Sequence, residues 1–267
     1  MVSFLALPAG CAEVPLGVMA LPDLANIVVN PATDLAVPQV VDGDNWKTSF
    51  FLTSLEAVKT VYWSLNFIGD GGLPMNLAVE RAGPASRVFA ALPPGWSITI
   101  DTQGTAATLT QGWALLTTLD RPPDQSGARQ VTDRIGGMAV FRQRVAGRPD
   151  FEAVVPFSPL TETTFVMPFD NRSGFSTGIA LLNPHLSAAS NVGVLIQMPN
   201  SDVLRRDVFL LQAGSKLVFS MPDRYTEAAN REGRLTVTTT GPFLSGLGLR
   251  FNPTGAFTSF HALSVQP

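Results

Sequence analysis

The chain lacks several residue types on which common functions depend. Cys11 is the only cysteine among 267 residues, which excludes an intrachain disulfide and any metal site built from several thiolates. Only three lysines occur and the formal net charge is −3, so the basic field that holds a nucleic-acid backbone is missing. Charged residues make up 15%, and no uninterrupted apolar run approaches the roughly 20 residues of a membrane-spanning helix. We therefore expect neither nucleic-acid binding nor a transmembrane segment.

The N-terminal stretch lacks the positive charge of a secretory signal. No lysine or arginine precedes Lys47, and prolines interrupt the apolar sequence at positions 8, 15 and 22. We predict that residues 1–34 form an arm with one strand, at residues 27–29, lying against the first domain. An alternative is that residues 2–29 add a strand to a neighbouring molecule.

What the chain does contain is typical of an all-β protein. Hydrophobic residues make up 45% of it, and 23 glycines and 21 prolines divide it into short segments. The sequence also repeats: when Thr48 is aligned with Thr177, Phe50 falls on Ile179 and Leu52 on Leu181. We predict two tandem immunoglobulin-like antiparallel β-sandwich domains, at residues 35–156 and 157–267, preceded by the arm at residues 1–34.

Alternation along the strands predicts which side chains face the cores, and these include Phe50 and Leu52 in the first copy and Ile179 and Leu181 in the second. In residues 59–67, Trp63 shares an apolar face opposite a polar one, as in a half-buried strand with this tryptophan inside. Trp113 aligns with Arg234, so it is predicted to point outward, exposed unless the other domain or the arm covers it. Phe141 aligns with Arg250 in opposite phase, which predicts a bulge or shift in one of those two strands.

Several short motifs carry a resemblance to a known group of proteins. They are DGDNWKT (42–48), GWA (112–114), AVFRQ (139–143), PFDN (168–171), GFSTG (174–178) and GLRFN (248–252). Together they resemble uncharacterised tandem β-sandwich modules of secreted bacterial proteins, over about residues 37–265. The resemblance implies an extracytoplasmic β-sandwich protein, extracellular or at the cell surface, without catalytic residues.

Two chemical sites can be weighed from the residues. Asp42, Asp44 and Asp170 lie in turns and offer the oxygen ligands that calcium favours, although such side chains also bond their own backbone in Asx turns. Ser176 lies in a Gly-x-Ser-x-Gly pattern, but a nucleophile elbow requires a following helix, and a strand is predicted there. His185 and His261 are interpreted as surface or packing residues. No other cofactor is expected.

The sequence leads to one main hypothesis and two alternatives. The main hypothesis is a non-enzymatic structural or adhesive protein that contacts other proteins, including copies of itself through the N-terminal arm. The first alternative is a carbohydrate-binding module that uses Trp113 with Trp46 or Tyr62 as stacking surfaces. The second is a serine hydrolase centred on Ser176.

Overall fold

The computed structural model describes residues 14–21, 24, 27–241 and 243–265 and has a β-sandwich-like all-β architecture, which confirms the predicted all-β class; the immunoglobulin-like tandem domains stay a prediction. The N-terminal half, through Pro159, contains β1 (Gly17–Met19), β2 (Leu35–Asp42), β3 (Trp46–Ser54), β4 (Val61–Gly69), β5 (Leu77–Val79), β6 (Gly83–Ala85), β7 (Arg87–Leu92), β8 (Ser97–Asp101), β9 (Thr110–Leu119), β10 (Ile135–Gln143), β11 (Phe151–Pro156) and β12 (Ser158–Pro159). The C-terminal half contains β13 (Thr164–Asp170), β14 (Ser176–Leu182), β15 (Ser190–Gln197), β16 (Val203–Leu211), β17 (Lys216–Ser220), α1 (Met221–Arg224), a 3₁₀ helix (Thr226–Ala228), β18 (Glu232–Thr239), β19 (Ser245–Phe251), β20 (Phe257–His261) and β21 (Leu263–Ser264).

The strands form two sheets in each half, with antiparallel pairing throughout. Sheet 1 has the order β1-β7-β4-β9-β2-β12, and sheet 2 has the order β11-β10-β3-β8. Sheet 3 has the order β16-β15-β18-β13-β21, and sheet 4 has the order β17-β14-β19-β20. Strands β5 and β6 make a separate two-stranded ribbon. The boundary between residues 156 and 157 stays a prediction, although β12, just beyond it, pairs with β2 of sheet 1.

Each half has its own core, and the predicted inward positions are found in them. Phe50 and Leu52 of β3 are fully buried with Trp63 of β4 in the first core. Ile179 and Leu181 of β14, the aligned residues of the repeat, are buried in the second core. Alternate residues of a strand face opposite sides of the sheet, so two-residue spacing was enough to identify these positions.

A third apolar cluster joins the two halves and defines the junction between them. Trp113 and Leu115 of β9 meet Leu182 of β14 and Phe243 there. The arm also contributes, through Leu21. The side chains in this cluster face away from both cores. Part of the outer sheet surface of each half is therefore buried against the other half.

The arm forms a strand, but not where the sequence predicted it. Residues 27–29 are not a strand; β1 lies ten residues earlier and pairs with β7 at the edge of sheet 1. The Leu21 amide donates a hydrogen bond to the Ser86 hydroxyl at 2.8 Å, which holds the arm against this sheet. The alternative strand donation by residues 2–29 falls partly on residues 1–13, which lie outside the described chain.

Strand β4 is buried on both faces, so the half-buried interpretation was wrong. Trp63 is in the core as predicted, but Ser64 and Asn66 on the opposite face are also buried. Asn66 Nδ2 donates to the carbonyl oxygen of Leu115 at 3.0 Å, and Arg87 Nε donates to Asn66 Oδ1 at 2.6 Å. These hydrogen bonds satisfy the polar side chains on this face of β4. The alternation alone had predicted that this face was in contact with water.

Two threonines make the same local contact in the two halves. The Thr48 hydroxyl donates to the carbonyl oxygen of Val41 at 2.7 Å and accepts from the Val41 amide at 3.2 Å. The Thr177 hydroxyl makes the equivalent pair of bonds with the carbonyl oxygen and amide of Asp170, at 3.3 and 3.1 Å. Each threonine therefore ties the end of one strand to the start of the next, at aligned positions.

The opposite phase of β10 and β19 does not come from a bulge. The pairings of β10 with β3 and β11, and of β19 with β14 and β20, run without a register shift, so that prediction was wrong. Phe141 of β10 faces the first core, whereas Phe251 of β19 faces away from the second core and packs against the first. The outer face of β19 is apolar because the N-terminal half covers it.

A short helix follows β17. Helix α1 begins at Met221, has Asp223 in its first turn, and is followed by the 3₁₀ helix. None of the helices in the described part of the chain has the length and apolar character needed to cross a membrane.

Candidate functional site

The turn that holds Asp42 and Asp44 is closed by backbone bonds. The Gly43 amide donates to the Trp46 carbonyl oxygen at 3.0 Å, and the Trp46 amide donates back at 2.9 Å. Asp44 and Asn45, at the two central positions, have φ of 48° and 69°, as a tight type I′ turn requires. Asp42 is buried, and its Oδ1 accepts a hydrogen bond from the Gly104 amide at 2.9 Å. Its carboxylate therefore anchors a neighbouring loop.

Asp170, the third residue of the calcium hypothesis, is paired with two arginines. Its carboxylate oxygens lie 2.9 Å from Arg172 Nε and 2.9 Å from Arg250 Nη2. The hydrogen bond from Arg172 is the main cause that holds the pKa of this carboxyl well below its usual range, and Arg250 adds to it. Within the described residues, no three acidic, histidine or cysteine side chains are placed to hold a metal ion together. The structure does not bring Asp42, Asp44 and Asp170 together as a calcium site.

Trp113 points away from the first core, as the repeat predicted, but it is not exposed. Its side chain has no accessible surface, and its indole Nε1 donates to the carbonyl oxygen of Gly214 at 2.8 Å. The C-terminal half covers it in the junction. The prediction that Trp113 forms a carbohydrate-stacking surface was therefore wrong. The alignment identified the face of the strand that carries Trp113, but not the part of the protein that covers this face.

The other two aromatics of the carbohydrate hypothesis also pack against the protein. Trp46 is half-buried and stacks on Phe257, with ring centroids 5.3 Å apart, and Tyr62 is half-buried on β4. The tryptophan that is exposed is Trp96, at 41%, in the turn before β8. The prolines and glycine at residues 93–95 were the available signal for it, since they predict a solvent-exposed turn.

The residues of the hydrolase alternative lie in separate places. Ser176 begins β14, and its hydroxyl lies 3.3 Å from that of Ser220. His185 lies beside Phe243, and its Nδ1 is 3.4 Å from the Ser187 hydroxyl. His261 ends β20 and is exposed. A strand follows Ser176, as the sequence predicted, instead of the helix that a nucleophile elbow needs.

A buried lysine lies at the centre of the junction. Lys216 Nζ donates to Gln39 Oε1 at 2.5 Å and to the carbonyl oxygen of Gly112 at 2.7 Å, and lies 3.0 Å from Asp70 Oδ1. Burial lowers the pKa of this amine to about 8, against the opposing effect of the Asp70 charge. Three groups from the N-terminal half thus hold one cation from the C-terminal half, and sequence reasoning missed this contact because its partners are far apart in the chain.

An apolar face lies on the outer side of sheet 2, next to polar residues such as Ser49 and Thr53. It consists of Phe51, Leu55, Met138 and Val154, which are 41%, 52%, 42% and 45% exposed. Phe51 is paired with Met138 across β3 and β10, and Val154 is paired with Val140 across β11 and β10. Directly paired side chains lie about 5 Å apart, and Leu55 lies beside Gly136, two residues before Met138 on β10. Val140 and Met138 are neighbours on the same face of β10, so these residues form one continuous surface.

Charged residues of both signs border the apolar face. Arg142 of β10 is paired with Glu152 of β11 on one side and with Lys47 of β3 on the other. Arg142 Nε lies 2.7 Å from Glu152 Oε1, and Lys47 Nζ lies 2.7 Å from Glu80 Oε1. An apolar centre with a charged rim is the arrangement found in protein-binding surfaces.

Comparisons of the chain with protein-family models, with curated proteins and with solved structures found no match. The apolar face of sheet 2 and the junction between the halves are two features of the described chain that can contact another molecule.

Proposed function

We propose that this is a non-enzymatic structural or adhesive protein that works outside the bacterial cytoplasm through protein–protein contacts, and that copies of the chain associate through the apolar face of sheet 2. The observation that carries the proposal is the set of four large, exposed apolar side chains on one face of one sheet. Contiguous exposed apolar surface with a polar rim marks interaction sites in soluble proteins.

A second copy is the partner that best fits this surface. In a two-fold contact the same residues meet from both sides, so the surface must complement itself. The rim carries Arg142 and Lys47 beside Glu152, and a two-fold rotation lets the cations of one copy approach the anion of the other. The centre is apolar and complements itself without any pairing of charge.

The free edge of sheet 3 fits an assembly role less well. Strand β16 is the outermost strand there and carries Arg205, Arg206 and Asp207 in its middle. Charged residues on an edge strand oppose strand addition by another chain. Association through the apolar face of sheet 2, instead of through the β16 edge, is therefore the mode that we propose.

Sedimentation velocity of the full chain over a range of concentrations tests this proposal. We expect a reversible dimer in the wild type, and we expect Phe51→Lys to weaken association by at least about tenfold, because it places a charge in the apolar centre. The matched control is Val208→Lys, a change of an exposed apolar residue on β16 outside the apolar face, which should leave association unchanged. A wild type that stays monomeric at every concentration contradicts the proposal.

A deletion of residues 1–13 separates this mode from assembly through the arm. These residues precede β1, which already pairs with β7 of its own chain. Assembly through the apolar face predicts that the deletion variant still dimerises. If the deletion abolishes association while Phe51→Lys has no effect, the contact surface proposed here is wrong and assembly through the arm replaces it.

We further propose that the two halves are copies of one immunoglobulin-like module, as the resemblance to tandem modules of secreted bacterial proteins implies. The matching bonds of Thr48 and Thr177 support common descent, because they occur at aligned positions and join equivalent strand ends. The two-sheet arrangement of each half supports it as well.

A further inference from the structure

A pocket of about 340 Å³ lies at the junction, on the outer face of sheet 4. Its walls are mainly apolar: Gly178 and Ala180 of β14, Leu247, Leu249 and Phe251 of β19, and Val218 of β17. Gln39 of β2 contributes a wall from the N-terminal half. The pocket falls in the size range of small-molecule sites and, like them, combines apolar walls with a few polar groups.

Gln39 supplies a polar group that the protein leaves unused. This side chain is only 7% exposed, and its Oε1 accepts the hydrogen bond from Lys216 Nζ. The amide nitrogen diverges from the oxygen within the same planar group, so fixing Oε1 on Lys216 turns Nε2 away from it. Among the hydrogen bonds of the described residues none involves Gln39 Nε2, and Gln39 lines the pocket. An amide donor without a protein partner is thus available to a ligand.

Two hydroxyls complete the polar lining. Ser176 and Ser220, on neighbouring strands of sheet 4, are half-buried, and their oxygens lie 3.3 Å apart. Both line the pocket. Each hydroxyl can donate to an acceptor on a ligand or accept from a donor.

We propose that the junction pocket binds a medium-chain aliphatic carboxylate, with its chain against the apolar walls and its carboxylate oxygen accepting a hydrogen bond from Gln39 Nε2. The Lys216 ammonium, which also pairs with Asp70, polarises the Gln39 amide through Oε1 and makes Nε2 a stronger donor to an anionic acceptor. The apolar walls of β14 and β19 take the hydrocarbon chain, which gains by leaving water. This inference stands independently of the proposed self-association.

Isothermal titration of the full chain with octanoate tests the proposal, together with Gln39→Glu. That change keeps an oxygen to accept from Lys216 but replaces the amide donor with an acceptor. We expect octanoate to bind the wild type and Gln39→Glu to weaken binding by at least about tenfold, because a charge-assisted hydrogen bond is lost and a like charge is introduced. Unchanged thermal unfolding of the variant would show that the junction is intact.

A second variant fills the pocket without changing its charge. An added Cβ at Gly178 lies 3.2 Å from Phe251 Cε2, so Gly178→Val narrows the cavity and should weaken octanoate binding. Val208→Lys, on β16 outside both the pocket and the apolar face of sheet 2, is the control and should bind octanoate as the wild type does. The proposal is overturned if the wild type shows no binding, if Gln39→Glu binds equally well, or if 1-octanol binds as tightly as octanoate.

Discussion

Replacing Trp113 by alanine tests the junction between the two halves. The indole ring is fully buried in the third cluster, where Leu182 and Phe243 of the C-terminal half pack with it. Its nitrogen also donates to the carbonyl oxygen of Gly214. The change therefore removes an apolar contact and also a hydrogen bond between residues that are 101 positions apart in the chain.

The size of the effect follows from these two losses. Truncating a buried tryptophan to alanine costs about 3–5 kcal/mol, including the cavity it leaves. A buried carbonyl that loses its donor adds about 1–3 kcal/mol, less if water enters the cavity. We expect the free energy of unfolding to fall by about 5 kcal/mol, which is a large share of the roughly 5–15 kcal/mol of a typical protein. Trp113→Phe keeps the six-membered ring but loses the hydrogen bond to Gly214, and it should cost only about 1–3 kcal/mol.

Urea unfolding followed by circular dichroism measures these changes. The matched control is Trp96→Ala, because Trp96 is the same residue type but is 41% exposed in a turn, and we expect it to cost less than about 1 kcal/mol. If Trp113→Ala lies within about 1 kcal/mol of the wild type, the junction contributes little to stability and the reasoning fails.

Two further predictions concern buried polar groups. Burial raises the pKa of Asp34 to about 6, so the folded state holds the proton on this carboxyl more tightly than the unfolded chain does. The free energy of unfolding should therefore fall by up to about 3 kcal/mol as the pH rises from 4 through 6. Asp34→Asn keeps an acceptor for the Asn30 amide and should remove this fall in pH-dependent thermal unfolding; an equal fall in the variant would assign it to other groups. Thr48→Val and Thr177→Val should each cost about 1–2 kcal/mol by urea unfolding, and a loss in only one of them would contradict the equivalence of the two contacts.

The sequence was sufficient for the features that depend on neighbouring residues. Two-residue alternation identified Phe50, Leu52 and Trp63 as core residues, because the period of a strand is a local property. The DGDNWKT motif predicted a turn, and positive φ at Asp44 and Asn45 is the conformation that those residue types tolerate best.

The features that depend on distant segments could not be predicted in the same way. Alternation gave the face of Trp113, Ser64 and Asn66 but not whether that face meets water, since the covering arm and C-terminal half lie far away in sequence. The residues that line the junction pocket also come from segments that are distant in sequence. Gln39 contacts Lys216 at a separation of 177 residues, and no local pattern relates the two positions.

The strand pairs β10–β11 and β19–β20, which align in the sequence repeat, differ in which side chains face the junction. In the N-terminal half, Phe141 faces the first core and Arg142 faces out. In the C-terminal half, Phe251 faces out toward the N-terminal half, and Arg250 lies over the Phe175 ring at 3.6 Å and binds Asp170. The register is unbroken in both strands. The difference therefore lies in which residue types occupy the aligned positions, and not in a shift of the backbone. Burial of the outer face of sheet 4 therefore accounts for the apolar residues of β19, and these same residues wall the pocket to which we assign a ligand.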